Sequence, residues 1–207
     1  VDFFYVRQRR PAGNADAVRL AEEFVSGESF VVGFGDTIVT SSGPRGVVAR
    51  LIEDHEASGA AATIAVWEAP PEEASKYGVI RPAVADPVGA FPIDDIVEKP
   101  PLGEAPSHLA VAARYVFTPK IFEAIAATDP GVKGELWLTD AIRRLLEWGD
   151  DVRCVRLLDG ERRYDIGTPL TYYRAFADFA LADPEHGTAF AEYLRTCLQE
   201  EGGGAAG

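Results

Sequence analysis

Two aspartates and a Glu-Lys pair are the residues of this chain whose types and positions best suit phosphate chemistry. Asp36 stands just past the carboxyl end of an apolar, β-branched run at residues 30–34, and Gly33 and Gly35 remove side chains beside it. Asp165, in Tyr164-Asp165-Ile166-Gly167-Thr168, ends a strand-like stretch ahead of a helix N-terminus. An aspartate after a strand is most often only a turn former. Two of them, one against bare backbone, offer the one or two carboxylates with which Mg²⁺ and substrate phosphates are usually bound.

Glu98-Lys99-Pro100 closes another strand. Its lysine can neutralise a phosphate and its glutamate can accept hydrogen bonds from sugar hydroxyls, whereas the plainer reading is a solvated ion pair. In a regular strand the two side chains face opposite ways, so sharing one ligand requires a bend or bulge. The turn Gln8-Arg9-Arg10-Pro11-Ala12-Gly13 places an amide, cations and a glycine beside a helix N-terminus. Such a place can read a base edge and accept anions, or simply join a strand to a helix.

The elements that must position these residues follow from periodicity and breakers. Tyr5-Val6 read as a short first strand, and Asn14 as the N-cap of a helix whose Val18, Ala21, Phe24 and Val25 face inward until Ser26-Gly27 stops it. The run at 30–34 reads as a buried strand. Val47, Val48, Leu51, Ile52 and His55 share a helical face that ends at Gly59. Strands are predicted over 61–67, 77–80, 95–99, 109–117 and 152–158. Thr118-Pro119 and Thr168-Pro169 open helices as cap and first residue, Thr139 caps a helix with Ala141, Ile142, Leu145 and Leu146 inward, and a last helix covers 188–199. Strands alternating with helices predict an α/β fold: a Rossmann-like, mostly parallel mixed sheet flanked by helices. Ligands of such sheets sit outside the carboxyl ends of the strands, which is where Asp36 stands. One domain over 1–200 and a disordered tail at 201–207 are expected.

Composition narrows the function classes. A net charge of −13 over 207 residues argues against non-specific nucleic-acid binding, which needs basic surface. No apolar run reaches the ~18–20 residues that cross a membrane. The cysteines Cys154 and Cys197 form no disulfide framework, so a reducing cytoplasm is expected. His55 reads as packed, His108 and His186 as loop residues, and Cys154 as buried and inert. Tyr172, Tyr173, Phe176 and Phe179 have helical spacing that suits either core or a contact between copies in a homo-oligomer. The chain has no Met and opens on an apolar run, Val1-Asp2-Phe3-Phe4-Tyr5-Val6, which reads as the middle of a protein.

Taken in order, these segments resemble the bacterial UTP–glucose-1-phosphate uridylyltransferases, of nucleotidyltransferase type. The resemblance runs through Val6-Arg7-Gln8, Gly13 with Ala17-Val18, Gly35-Asp36, residues 75–80, Val97-Glu98-Lys99-Pro100, Ala113-Arg114-Tyr115-Val116, residues 134–142 and Tyr164-Asp165-Ile166-Gly167. It implies that Gln8 and Gly13 contact the nucleotide base, that Asp36 and Asp165 bind Mg²⁺, and that Gly78 and Glu98 hold the glucose ring. It further implies that Lys99 meets the sugar phosphate and that Glu135 lies near the sugar pocket. Ala113 stands where the family usually has glycine, a methyl expected to crowd that pocket.

The implied reaction joins UTP and glucose 1-phosphate into UDP-glucose and pyrophosphate, with Asp36, Lys99 and Asp165 as the catalytic set. The related alternatives are a dTTP-using thymidylyltransferase and a non-catalytic sugar-phosphate or nucleotide-binding module. A glycosyltransferase is less well matched, because Thr37-Ile38 follows Asp36 where an Asp-x-Asp pair would be. The family's glycine-rich triphosphate loop has no counterpart here, and the resemblance implies on the order of 60–80 residues of βα structure ahead of Val1. The chain alone is therefore expected to be nearly inactive, since losing even one preorganised donor costs ~10²–10³ in rate. Pyrophosphate release from UTP and glucose 1-phosphate measures this, and turnover close to that of an intact relative contradicts it.

Overall fold

The computed structural model describes residues 1–41, 43–131 and 134–203. Six strands form the main sheet: β1 (Phe30–Gly33), β3 (Ala62–Glu68), β4 (Gly78–Pro82), β5 (Ala90–Glu98), β6 (Leu109–Phe117) and β7 (Val152–Arg156). Their order is β1-β6-β3-β7-β5-β4, and β2 (Thr37–Val39) pairs separately with β8 (Arg163–Asp165). The helices are α1 (Asn14–Arg19), α2 (Glu22–Val25), α3 (Val47–Ser58), α4 (Lys120–Ala126), α5 (Leu138–Glu147), α6 (Pro169–Ala182) and α7 (Gly187–Gly203).

The chain divides into a larger unit, Val1–Gly35 with Val39–Arg163, and a smaller one, Asp36–Ile38 with Tyr164–Gly207. In the larger unit strand alternation sorts side chains between two layers. Ala62, Ile64 and Val66 of β3 join the core shared with α1, α4 and α5, while Ala65 joins Val47 and Leu51 of α3 in a second cluster. In the smaller unit Thr168 and Thr171 form a reciprocal capping box at the start of α6, with Pro169 in its first turn. Phe176 of α6 meets Phe190 of α7 edge-on at 6.1 Å, and Tyr164 lies 5.1 Å from Phe179.

The α/β class and the helices flanking a mixed sheet are as expected, but the sheet is not mostly parallel. Among the described ladders of the six-stranded sheet only β3 with β7 is parallel. No helix intervenes between β4 and β5, and strands joined by a short loop pair antiparallel. Tyr5-Val6 form no strand: none of the described strands pairs with them, and both are exposed. The run at 30–34 is an edge strand whose residues alternate between half-buried and exposed, since β1 has one neighbour, β6.

The single helix expected from Asn14 to Val25 is two short ones. A tight bond from Ala21 N–H to the Val18 carbonyl (2.9 Å) breaks the register, and Phe24 turns out to solvent. Of the tail expected at 201–207, residues 201–203 continue α7 and residues 204–207 lie outside the described ones.

Strand β6 carries a wide irregularity. From Val66↔Val111 to Ile64↔Tyr115 two residues of β3 advance against four of β6, which keeps side-chain parity and leaves Ala113 in the left-handed region at φ 55°. An alanine there carries a cost of about 1–2 kcal/mol that glycine avoids. Ala113→Gly is expected to stay within about 1 kcal/mol of the parent, because relieved strain offsets the lost methyl and the looser unfolded chain. Ala113→Val, β-branched at positive φ, is expected to lose more than about 2 kcal/mol. Urea unfolding measures both, and a valine variant as stable as the parent contradicts the left-handed backbone.

Candidate active site

The bend that Glu98 and Lys99 require is present at the end of β5. Lys99 adopts φ 45°, and its N–H donates to the Tyr77 carbonyl at 3.0 Å. This turns its side chain back beside Glu98, with Nζ 3.4 Å from Oε1. The other carboxylate oxygen, Oε2, accepts from the Thr139 hydroxyl at 2.7 Å. Gly78 pairs with Glu98 in the β4–β5 ladder, and a Cβ on it would lie 2.9 Å from Thr139 Oγ1 and 3.3 Å from Glu98 Oε2. The glycine is thus what lets the hydroxyl and the carboxylate meet. Lys99 Nζ also sits 3.8 Å from the centroid of the Trp137 ring, a cation–π contact. Burial, opposed by the Thr139 hydrogen bond and by Lys99, holds the Glu98 carboxyl above the ordinary glutamate range. Burial likewise raises Asp140.

The turn at Gln8–Gly13, which opens α1, is tied to the same stretch of chain. Leu136 N–H donates to the Ala12 carbonyl (2.8 Å), Ala15 N–H donates to the Leu136 carbonyl (3.1 Å), and Leu138 N–H donates to Asn14 Oδ1 (2.7 Å). Gly13, at φ 106°, is the point of closest approach: a Cβ there would stand 2.1 Å from the Leu136 carbonyl oxygen. Asn14 therefore does not cap its own helix, whose N-cap is Gly13; it caps α5 from a distance. Thr139, expected as that cap, lies inside α5 and spends its hydroxyl on Glu98. Gln8 Nε2 donates to Asp16 Oδ2 (2.7 Å) and to the Gly13 carbonyl (3.2 Å), and the Gln8 bond leads the causes that lower the Asp16 carboxyl. Glu135 is half-buried in this stretch, with its carbonyl accepting from Gly131 N–H at 2.9 Å.

Asp36 and Asp165 both belong to the smaller unit. The Asp36 carbonyl accepts from Ile166 N–H at 2.8 Å, and Asp165 Oδ1 accepts from Gly167 N–H at 2.9 Å. A Cβ built on Gly167 would be 3.2 Å from Asp165 Oδ1 and 3.7 Å from Asp36 Oδ2, so both carboxylates flank one point left open by glycine. Such paired hard oxygens suit a small divalent cation whose remaining ligands come from water and phosphate. Among the described residues no group of three His, Cys, Asp or Glu could hold a metal ion.

Two residues at this site were missed as functional candidates: Trp137, which covers Lys99, and Thr139, which holds Glu98. Both lie in residues 134–142, but one sequence gives no signal that a residue ahead of α5 reaches the end of β5. The other singled-out residues are structural. His55 is buried between Thr63 Oγ1 (3.3 Å) and Ser29 Oγ (3.1 Å), and burial lowers its pKa. Cys154 is fully buried, which pushes its thiol pKa up. Tyr172, Tyr173, Phe176 and Phe179 are exposed on α6 rather than core. Among the described residues no helix is long and apolar enough to cross a membrane.

Two aspartates flanking Gly167 and a Glu-Lys pair closing β5, on a mixed α/β sheet, are groups of the kind that phosphate chemistry uses, and the family follows from comparison. Residues 1–181 match the nucleotidyl transferase family, and the chain belongs to it. It is 35% identical over 201 residues to UTP–glucose-1-phosphate uridylyltransferase of Bacillus subtilis (strain 168), covering 97% of this chain and 66% of the relative. It is 37% identical over 190 residues to a UTP–glucose-1-phosphate uridylyltransferase 2 of Streptococcus pyogenes serotype M1, covering 89% and 61%.

Among solved structures it is similar to a UDP-glucose pyrophosphorylase complexed with UDP-glucose, at a TM-score of 0.79 and 33% identity, covering 86% of this chain and 65% of that one. A UTP-bound UGPase from Acinetobacter baumannii also gives 0.79, at 32% identity, covering 91% and 64%. The chain thus spans just under two thirds of the length of these relatives.

The raised Glu98 carboxyl has a consequence for stability. The folded protein holds this proton more tightly than the unfolded chain does, so ionising it at neutral pH opposes folding. The penalty is absent below the ordinary glutamate pKa and grows as pH rises through the raised value. Glu98→Gln is therefore expected to raise the melting temperature at pH 7–8, with the advantage shrinking as pH falls through the glutamate range. Thermal unfolding across pH measures it, and a glutamine variant less stable at pH 8 than at pH 4, each relative to the parent, contradicts the assignment.

Proposed function

We propose that this chain carries the sugar-phosphate and metal sites of an enzyme that forms UDP-glucose and pyrophosphate from UTP and glucose 1-phosphate. The observation that carries the reading is the cluster at the end of β5. There a left-handed Lys99 brings an ammonium 3.4 Å from a buried carboxylate, opposite a glycine that admits the Thr139 hydroxyl to it. An ammonium beside an acceptor pair is what a sugar phosphate needs: charge for the phosphate, acceptors for hydroxyls. The uridylyltransferase relatives and the UDP-glucose and UTP complexes of similar structures support the choice of substrates.

In this reading Lys99 orients the phosphate of glucose 1-phosphate. A phosphate oxygen attacks the α-phosphorus of UTP in line; the new P–O bond forms as the bond to pyrophosphate breaks, and pyrophosphate leaves with the electron pair. Catalysis is then positioning and charge stabilisation, with no covalent enzyme intermediate. Glu98 and Gly78 hold the glucose ring, Glu135 lies near it, and Gln8 and Gly13 contact the base. Asp36 and Asp165 would hold Mg²⁺, which when bound offsets negative charge on the phosphates.

Calorimetry tests the assignment on the chain as it exists. Lys99→Met is expected to weaken glucose 1-phosphate roughly tenfold to hundredfold, the worth of a charge-assisted bond. Asp36→Asn and Asp165→Asn are expected to leave glucose 1-phosphate unaffected and to abolish the Mg²⁺ dependence of UDP-glucose binding. Unchanged glucose 1-phosphate affinity in the Lys99 variant overturns the reading.

A further inference from the structure

We infer that Trp137 and Thr139, on either side of the first residue of α5, are positioning residues that preset Lys99 and Glu98 for the sugar phosphate. The inference rests on the proposed function, which makes Lys99 and Glu98 the substrate-contacting groups.

Lysine is a poor preorganised ligand by itself. Its four-carbon stem has many rotamers, and freezing them on binding lowers affinity. Here two contacts fix the ammonium before any ligand arrives. The Trp137 ring lies 3.8 Å below it, and Glu98 Oε1 stands 3.4 Å to its side. The lysine side chain is nevertheless 37% exposed, which leaves it open to an anion. Indole offers the strongest cation–π face of the side chains, and that attraction grows where water is excluded.

Thr139 does for the carboxylate what Trp137 does for the ammonium. Glu98 keeps only 9% of its side chain exposed, and its two oxygens have separate partners. The Thr139 hydroxyl donates to Oε2 at 2.7 Å, which turns Oε1 toward Lys99. Rotation of the carboxylate would break both contacts together. The groups acting electrically on Glu98 are Lys99, which favours its ionised form, and Asp140, which opposes it. Without the hydroxyl, Lys99 alone would hold the carboxylate in place.

The backbone explains why one short stretch can do this. Leu136 is bonded on both sides to Ala12 and Ala15, and Leu138 N–H is bonded to Asn14. The chain entering α5 is therefore fixed on one flank, and the side chains at 137 and 139 carry that rigidity to the end of β5.

Calorimetric titration of glucose 1-phosphate at pH 8 tests the inference with paired variants. Trp137→Leu is expected to weaken binding roughly fivefold to tenfold, while Trp137→Phe, which keeps an aromatic face, stays within roughly threefold of the parent. Thr139→Val is expected to lose a similar roughly fivefold, and Thr139→Ser to restore it. A purely structural role predicts additive losses. Positioning predicts that Trp137→Leu adds nothing in a Lys99→Met background, and that Thr139→Val adds nothing in a Glu98→Gln background.

The contact itself is read without ligand. Ring current should shift the Lys99 ε-methylene proton resonances upfield, and this shift should vanish in Trp137→Leu and persist in Trp137→Phe. Parent-like or tighter binding by Trp137→Leu alongside a weakened Lys99→Met overturns the inference and leaves the proposed function standing. Unchanged binding by Lys99→Met removes the proposed function itself. An unshifted Lys99 resonance in the parent overturns the contact whatever the binding data show.

Discussion

The site in the larger unit depends on how the chain is held at Leu136. Its N–H and carbonyl are both taken by the segment that opens α1, through Ala12 and Ala15. Gly13 permits the approach, because any side chain would collide with the Leu136 carbonyl. Asn14 then satisfies the Leu138 N–H, one of the orphan donors of α5. Two segments more than a hundred residues apart are thereby joined like a short ladder, although neither is a strand. The anchoring of Glu98 and of Lys99 passes through this joint, since Thr139 and Trp137 stand on its far side.

Holding those two groups opposes folding in two ways. Lys99 at positive φ is a conformation few non-glycine residues adopt, with a typical cost of about 1–3 kcal/mol. A Glu98 carboxylate away from water is a second cost, visible in its raised pKa. Neither is explained by packing, since a glycine at 99 and an apolar residue at 98 would fold more easily. Both are explained if the end of β5 must present charge of both signs to one ligand. Such costs persist only where surrounding contacts overdetermine the geometry. The Tyr77 carbonyl, the Trp137 ring and the Thr139 hydroxyl supply those contacts.

Much of this was legible in the sequence, and what was not has physical causes. The faces of α3 and α5 could be read because helical periodicity records which side meets a core: Val47 and Leu51, then Ala141, Ile142 and Leu145, are buried. The capping box at Thr168 is likewise local chemistry. The direction of β4, β5 and β6 was not legible, because residue pattern records burial and not strand polarity. Asn14 and Thr139 were misread for the same reason. Each has a side chain that suits a local cap, and each bonds instead to a segment distant in sequence. The need for a bend at Glu98-Lys99 could be stated beforehand; that a left-handed lysine provides it could not.

The carboxylates of the smaller unit follow a different logic. Asp36 is exposed and Asp165 half-buried. Asp165 keeps one oxygen against the Gly167 N–H, and both flank the space that the missing Gly167 side chain leaves. Two carboxylates are too few to strip a small, strongly hydrated cation of its water, so the pair on its own would hold a metal weakly. Phosphate oxygens are the natural remaining ligands. On the proposed function, metal affinity should then be low without nucleotide and high with it. Such a site gathers its charge only when the substrate does, while Lys99 and Glu98 are set in advance.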